Sequence, residues 1–563
     1  MTLASESQPI VSTLMSLLSD PFLQLPTENT VNVVWFTEFE GDKHWVEYGL
    51  QLEQQATAIT TKLSRMREDE DSQIDSPPTK TIDRNIWRHE ATVTGLTRDR
   101  TIPYRVKSMT EGQTITSNNF TLTSNPSPNK PLKILLTSDH QLMPMTAANL
   151  TKVVETINKI DAVFLAGDLV NIPDRASEWF DDLRGGSFFP NLQGKGNYEL
   201  EKNGIKTVYK GGEIIQHAPL FAAIGNHEVM GQISQPTLKE EFNHPLPKDV
   251  ATKLYQQRAK EINPQQDARL KQDWIENNSF NINTYEEIFS FPQSDMGGKK
   301  YYATTFGNIR LISLYVTNIW RSPNLAAEDM GRYKESDLNL DKPETWGYGQ
   351  HIFEPIAKGS QQYQWLEKEL ASPAYQEAKY KIVMLHHPPH TLGGNIVPPF
   401  TDPQSKSYYR DGNLSALYYD YPIENDYIVR DLIPLLDSAK VQLVYYGHSH
   451  LWNRFQSDSG MHFLESSNVG NSYGAHLGED RRPIPTYSPE NYYATGNPNG
   501  LEPILPNIAP LRDVTGNVMP YIASNDITVF SIFDTATGKI SSYRYDTRKP
   551  NSDVVKFDEF RLK

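Results

Sequence analysis

Five short apolar, β-branched runs in this chain each break off at a side chain able to hold a metal ion. Residues 132–137 run into Ser138, Asp139, His140 and Gln141, residues 162–166 into Gly167 and Asp168, and residues 220–224 into Gly225, Asn226 and His227. Residues 381–385 run into His386 and His387, and residues 441–446 into Gly447, His448, Ser449 and His450. Runs of this length and composition read as buried strands. In a parallel sheet their carboxyl ends open onto the crevice where α/β proteins place their chemistry. Polar groups at such ends cost desolvation unless something compensates them, and a pair of metal ions does so. Carboxylate oxygen and neutral imidazole nitrogen are ligands for Mn, Fe and Zn, and one carboxylate can bridge two ions about 4 Å apart. Glycines ahead of Asp168, Asn226 and His448 let the backbone turn sharply and bring the next side chain close.

Helical spacing at residues 146–160 and 361–370, between these strands and another at 309–316, argues for α/β layering. Ahead of them, residues 21–123 read as all-β: the runs 31–37, 45–52, 88–94, 104–109 and 114–122 are short, alternating and separated by turn-formers, which predicts a small sandwich. Residues 62–85 are charged and contain prolines, and are expected to be a solvated loop between strands. Residues 124–131 hold three prolines in eight positions, the composition of an extended linker. Because 563 residues exceed what one core usually organises, the expected division is 20–123, 124–131 and 132–563.

A net charge of −15 argues against nucleic acid or an anionic membrane as the main partner. The absence of cysteine excludes thiol catalysis, cysteine-ligated zinc and disulfides. Residues 10–18 are modestly apolar, but no Lys or Arg precedes them, so they fail as a signal peptide. No stretch reaches the roughly 18 apolar residues of a spanning helix. The expectation is a cytoplasmic protein acting on a small molecule.

Taken in order, the five blocks resemble the calcineurin-like metallophosphoesterases, and the chain as a whole is similar to purple-acid-phosphatase-like members of that superfamily. Residues 33–37, Tyr48 with Gly49, and residues 96–106 resemble the fibronectin-like N-terminal domain of that group. Tyr301, Tyr302, residues 309–314 and residues 361–366 fall in its order as well. The resemblance implies an α/β fold, a metallophosphoesterase-type β-sandwich flanked by helices, behind a separate small all-β sandwich. It implies two divalent ions, Mn, Fe or Zn, with Asp168 bridging them, Asp139 and His450 on the first, and Asn226, His386 and His448 on the second. The amide oxygen of Asn226 is neutral and leaves its metal more electrophilic than a third carboxylate would.

Two positions depart from the pattern. Gln141 stands where many members have a histidine, and His140, one residue earlier, points the other way along an extended segment. Asn171 stands where purple acid phosphatases have the tyrosine that gives their colour, so a protein without tyrosinate charge transfer is expected. Asn171 would ligate through its oxygen, hydrogen-bond His227, or cap its loop.

The implied activity is a phosphomonoesterase in which the ions bind the phosphate and lower the pKa of a water, so that hydroxide attacks phosphorus in line. His227 is the expected general acid, with Glu228 either orienting it or starting a helix. His387 is expected to point away from the metals, His390 to reach substrate, and His44 and His89 to be structural. Arg321, Arg332 and Arg410 lie in loops from which they would bind phosphate as forks. The long segments 318–359, 391–422 and 470–521 would set substrate choice. Tyr408, Tyr409, Tyr418 and Tyr419 would stack on an aromatic substrate or hold those loops down. Residues 527–533 and 540–545, joined near Gly538, read as a closing hairpin. The alternatives are a phosphodiesterase, for example of cyclic nucleotides, and a metal-binding module with little or no turnover.

Overall fold

The computed structural model describes residues 15–233, 236–244, 246–321, 331–494 and 500–563. Residues 10–14 of the N-terminal apolar segment lie outside them. The all-β part contains two antiparallel sheets. One runs in the order Phe22–Gln24, Val31–Thr37, Trp87–Val93, Ile59–Lys62. The other runs Gln113–Thr116, Ile102–Thr110, Lys43–Tyr48, Gln54–Thr57, with Phe120–Leu122 also on Ile102–Thr110. Val33, Trp35, Val46, Tyr104 and Val106 fill the space between them, and the buried Trp35 indole donates to Ser108 Oγ at 2.9 Å.

The strand Val31–Thr37 is buried on both faces, as its near-continuous apolar run requires. Its outward side chains Val34 and Phe36 belong to the large core of the C-terminal part. Phe36 packs on Phe180 and Phe189 with ring centres 5.1 and 5.3 Å apart. The two parts therefore share apolar packing across the link at 124–131.

Residues 65–69 overturn the expectation of a solvated loop over 62–85, whereas residues 73–85 are exposed or half-buried as expected. Arg65, Arg67, Glu68 and Asp69 are buried. Arg65 pairs with Asp174 at 3.0 Å, Arg67 with Asp174 at 2.8 Å and Glu241 at 2.7 Å, and Asp69 with Arg175 at 2.9 Å. The charged composition resembles a surface loop because its neutralising partners lie on the other part of the chain.

The C-terminal part is built on two mixed sheets. The first runs Leu220–Ala222, Ala162–Leu165, Lys133–Thr137, Ile527–Asp534, Lys539–Asp546, Val555–Arg561, parallel among its first three strands. The second contains the parallel strands Ile309–Ser313, Tyr380–Met384, Leu443–Tyr446 and His462–Ser466. Apolar residues of both sheets share one core, and buried Ser531 and Ser466 hydrogen-bond between the sheets. The expected hairpin at residues 527–545 extends the first sheet and is followed by a third strand, Val555–Arg561. Helices Thr146–Ile157 and Gln361–Leu370 flank the sheets where helical spacing placed them. The segment 391–422 is not all loop: Gln404–Arg410 and Asn413–Asp420 form a hairpin. Asp411 and Gly412, with φ of 52° and 81°, form the two-residue turn that an Asp-Gly pair favours.

Candidate metal centre

The five strand ends meet at one edge of the sandwich. Asp139, Asp168, His448 and His450 adopt φ of 58°, 57°, 81° and 54°. Such left-handed conformations cost side-chain-bearing residues on the order of 1 kcal/mol each and persist where the surroundings enforce them. Gly225 and Gly447 permit the close approach: a Cβ at Gly225 would lie 2.2 Å from Asp168 Oδ1, and one at Gly447 2.2 Å from Asp139 Oδ2. Gly167, at φ 97°, would press a Cβ to 2.8 Å from His386 Nδ1.

Four donor atoms converge. His386 Nε2 lies 3.2 Å from Asp168 Oδ2, 3.2 Å from Asn226 Oδ1 and 3.2 Å from His448 Nδ1. Atoms about 2.1 Å from a shared ion sit about 3.0–3.4 Å apart, so this spacing fits a cation among them. His386 Nδ1 donates to Ala166 O at 2.8 Å, which leaves Nε2 with its lone pair toward the common point. Beside this group, His450 Nε2 lies 3.4 Å from Asp139 Oδ1, and His450 Nδ1 donates to Asn471 O at 3.0 Å. Asp168 has two further partners: its Oδ1 accepts the His227 N–H at 2.9 Å, and its Oδ2 accepts from Gln141 Nε2 at 3.2 Å. The buried Gln141 Oε1 has no hydrogen-bond partner among the described residues.

The electrostatics call for positive charge. Burial opposes ionisation of Asp168, yet His386 and His227 hold it well below the usual carboxylate range. Burial likewise opposes a charged His386, but Asp168 and Asp139 raise it to about 10. His448 is pushed well below the ordinary value by burial and by His387 and His386, so it stays a neutral ligand-type imidazole. A donor set this hungry for a proton is suited to divalent ions.

Three buried glutamates clamp the strand-end loops. Glu228 accepts the main-chain N–H groups of Asp168, Leu169 and Gly225 at 2.9, 2.7 and 2.6 Å. Glu178 accepts those of Asn171 and Ile172 at 2.7 and 2.8 Å. Glu465 accepts from Ser449 N at 2.8 Å, Thr391 Oγ1 at 2.7 Å and Asn453 Nδ2 at 3.0 Å. Glu178 and Glu465 were missed in the sequence. A glutamate inside the apolar strand run 461–466 was the available signal, since an ion there needs several donors.

Several roles differ from expectation. Of the roles expected for Glu228 the helix-starting one is found, its carboxylate capping the turn Asn226–Glu228 at Gly225 N, and it also holds the turn that carries Asp168. Asn171 meets His227 through its main-chain carbonyl, 2.7 Å from Nδ1, rather than its side chain. His390 is not brought to the cavity: its ring packs on Phe463 and Phe455, with centres 4.5 and 5.7 Å away. An apolar wall at that position in the chain is invisible to a reading of loop composition. His140 turns into the core and bonds Thr137 Oγ1 at 2.9 Å, while His387 packs against the His448 ring. Arg321 is buried and donates through Nε to the main-chain oxygen of Phe242 and through Nη2 to those of Asn226 and Val229. Arg410 is on the exposed hairpin, Tyr408 and Tyr409 are exposed, and Tyr419 is buried on Glu335.

Arg332 is the arginine that faces the centre. It lines a cavity of about 310 Å³ with Asp168, Asn226, His227, His448 and His450. Its guanidinium lies 3.7 Å over the Trp320 ring and donates through Nη1 to Val397 O, while its buried Nε–H has no partner among the described residues.

A two-sheet sandwich whose strand ends gather carboxylate, amide and imidazole donors around a polar cavity defines a metal-dependent hydrolase. The profile of the calcineurin-like phosphoesterases matches residues 132–451. The chain belongs to the calcineurin-like phosphoesterase family and is a metal-dependent phosphoester hydrolase acting on small phosphoesters. It shares its fold with the purple acid phosphatase PPD1 from yellow lupin (Lupinus luteus) seeds, at TM-score 0.53 and 14% identity over 96% of this chain and 73% of that one. That likeness takes in the N-terminal sandwich, whose antiparallel sheets are consistent with a fibronectin-like fold. GAP50, the anchor in the inner membrane complex of Plasmodium, matches at TM-score 0.33 and 11% identity over 77% of this chain and 90% of that one, too slight a likeness to carry an argument. No curated protein matches the chain. Among the described residues no helix is long and apolar enough to cross a membrane.

Proposed function

We propose that the chain is a phosphomonoesterase with a dinuclear centre. Asp168 with Asp139 and His450 would hold one ion, and Asp168 with Asn226, His386 and His448 the other. The convergence of four donor atoms on one point, with Asp139 and His450 alongside, carries this reading. The ions fit as divalent Mn, Fe or Zn, since position 171 offers no phenolate for ferric iron. When bound, they neutralise phosphate charge and lower the pKa of a coordinated water.

The side chains do the rest. Arg332, held over Trp320, supplies a cation to the wall of the same cavity, and a monoester dianion carries one more negative charge than a diester to meet it. His227 faces the same cavity with Nδ1 fixed on the Asn171 carbonyl, so Nε2 is the atom that delivers a proton to the leaving oxygen. Burial lowers the His227 pKa despite Asp168 nearby, which makes it a stronger acid than a free histidine.

Elemental analysis beside turnover tests the reading. Two divalent ions per chain, faster hydrolysis of p-nitrophenyl phosphate than of its bis ester, and a loss of at least about 100-fold in Asp168→Asn are expected. Preference for the bis ester would favour the diesterase, and equal activity in Asp168→Asn would defeat the hydrolytic centre.

A further inference from the structure

Asp69 comes from the charged segment of the N-terminal β domain, yet its fully buried carboxylate is divided between two elements that touch His227. Oδ1 and Oδ2 each accept from Arg175 Nη2 at 2.9 Å. Arg175 Nη1 donates to Glu178 Oε1 at 3.2 Å, and Glu178 Oε2 accepts the N–H groups of Asn171 and Ile172. The carbonyl of that same Asn171 holds His227 Nδ1 at 2.7 Å.

The second branch is shorter. Asp69 Oδ2 also accepts the main-chain N–H of Leu238, the first residue of the helix Leu238–Asn243, at 2.7 Å. Phe242 in that helix stacks on the His227 ring, centres 5.1 Å apart and planes 30° from parallel. Arg67, two residues before Asp69, ties the same two elements through Asp174 and Glu241. The carbonyl at one edge of the His227 ring and the aromatic over its face are thus both moored to a single side chain of the other domain.

We propose that Asp69 is a positioning residue for proton transfer by His227, which makes the N-terminal domain part of the catalytic apparatus; this rests on His227 being the proton donor. In the step concerned, a water oxygen bonds to phosphorus and releases a proton to solvent, while the bond from phosphorus to the leaving oxygen breaks with its electron pair on that oxygen. Nε2 gives its proton there, the alcohol leaves neutral, and solvent returns a proton to the imidazole. Nδ1–H keeps its bond to Asn171 O throughout, so any slack in that loop becomes slack at Nε2. Displacing a reacting group by about 1 Å costs on the order of 100-fold.

The test compares two leaving groups in the full-length, metal-loaded protein. p-Nitrophenolate departs without a proton, whereas the alkoxide of glycerol 2-phosphate needs one. Asp69→Asn should lower kcat for glycerol 2-phosphate about 10- to 100-fold. Its KM and bound metal should be unchanged, p-nitrophenyl phosphate should stay within about threefold, and Asp69→Glu should recover part of the loss. An equal fall on both substrates, or no fall on either, overturns the proposal. His227→Gln run alongside separates the two layers. If it shows no leaving-group selectivity, the donor assignment fails; if it does and Asp69→Asn does not, only the role of Asp69 fails. Should Asp69→Asn not accumulate as folded protein, Glu178→Gln cuts the same linkage within the catalytic part and is read in the same way.

Discussion

At Gly225 and Gly447 the room for one methyl group is already taken by the carboxylates of Asp168 and Asp139. Alanine at Gly225 must push its Cβ, 2.2 Å from Asp168 Oδ1, against the carboxylate proposed to hold both ions. Gly225→Ala should therefore weaken metal affinity about 10- to 100-fold, with far-UV circular dichroism unchanged. Titration of the metal-free variant with manganese checks this, and wild-type affinity would defeat it. The close approach at these glycines was legible because a glycine just ahead of a donor side chain is a local pattern. The hold of Glu228 on the turn of Asp168 and the role of Asn171 were not, because both act through main-chain groups. Glu228 meets the N–H groups of residues 59 and 60 positions away, and no local spacing records such a bond.

The strands that end at the centre were readable for a simple reason: an apolar run that stops at Asp or His states its burial and puts a donor side chain at its end. The hairpin Gln404–Asp420 and the segment at Arg65–Asp69 were misread, because a Tyr-rich exposed ribbon and a run of charges look alike until their partners are placed. The loops between elements also carry a pH signature. Burial pushes Glu465 up to about 8, against the donors that favour its ionised form, and Glu178 up to about 7. A carboxylate that binds its proton more tightly when folded contributes fully below its ordinary value of 4.5 and loses that contribution as pH rises through the folded value. His386, raised to about 10, works in the same direction. Metal-free protein should accordingly lose thermal stability from about pH 5 to about pH 8, and Glu465→Gln should flatten that slope by up to one proton per molecule. Melting curves in chelator across this range test it; a slope equal to that of the parent would refute the assignment.

The whole molecule is held by packing that crosses the link at residues 124–131. Phe36 on Phe180 and Phe189, and the ion pairs from Arg65, Arg67 and Asp69, leave the C-terminal part incomplete when expressed alone. Uncovering Phe180, Phe189 and Phe289 costs on the order of 5 kcal/mol, comparable with the net stability of a domain. A fragment of residues 132–563 is expected to bind a hydrophobic dye and to lack near-UV dichroism. A fragment with native dichroism and full turnover of p-nitrophenyl phosphate would contradict this. A composition-based boundary at the prolines could not anticipate it, because the shared apolar residues lie on strands that read as the interior of either part.

The left-handed backbone at Asp139, Asp168, His448 and His450 has a consequence for how the protein acquires its metals. The folding reaction has already met the conformational expense, and buried Glu228 and Glu465 hold these turns by hydrogen bonds within the protein. Uptake should be bimolecular, limited by encounter and ligand exchange, without a slow unimolecular phase. Stripping and refilling the socket should return the same enzyme each time.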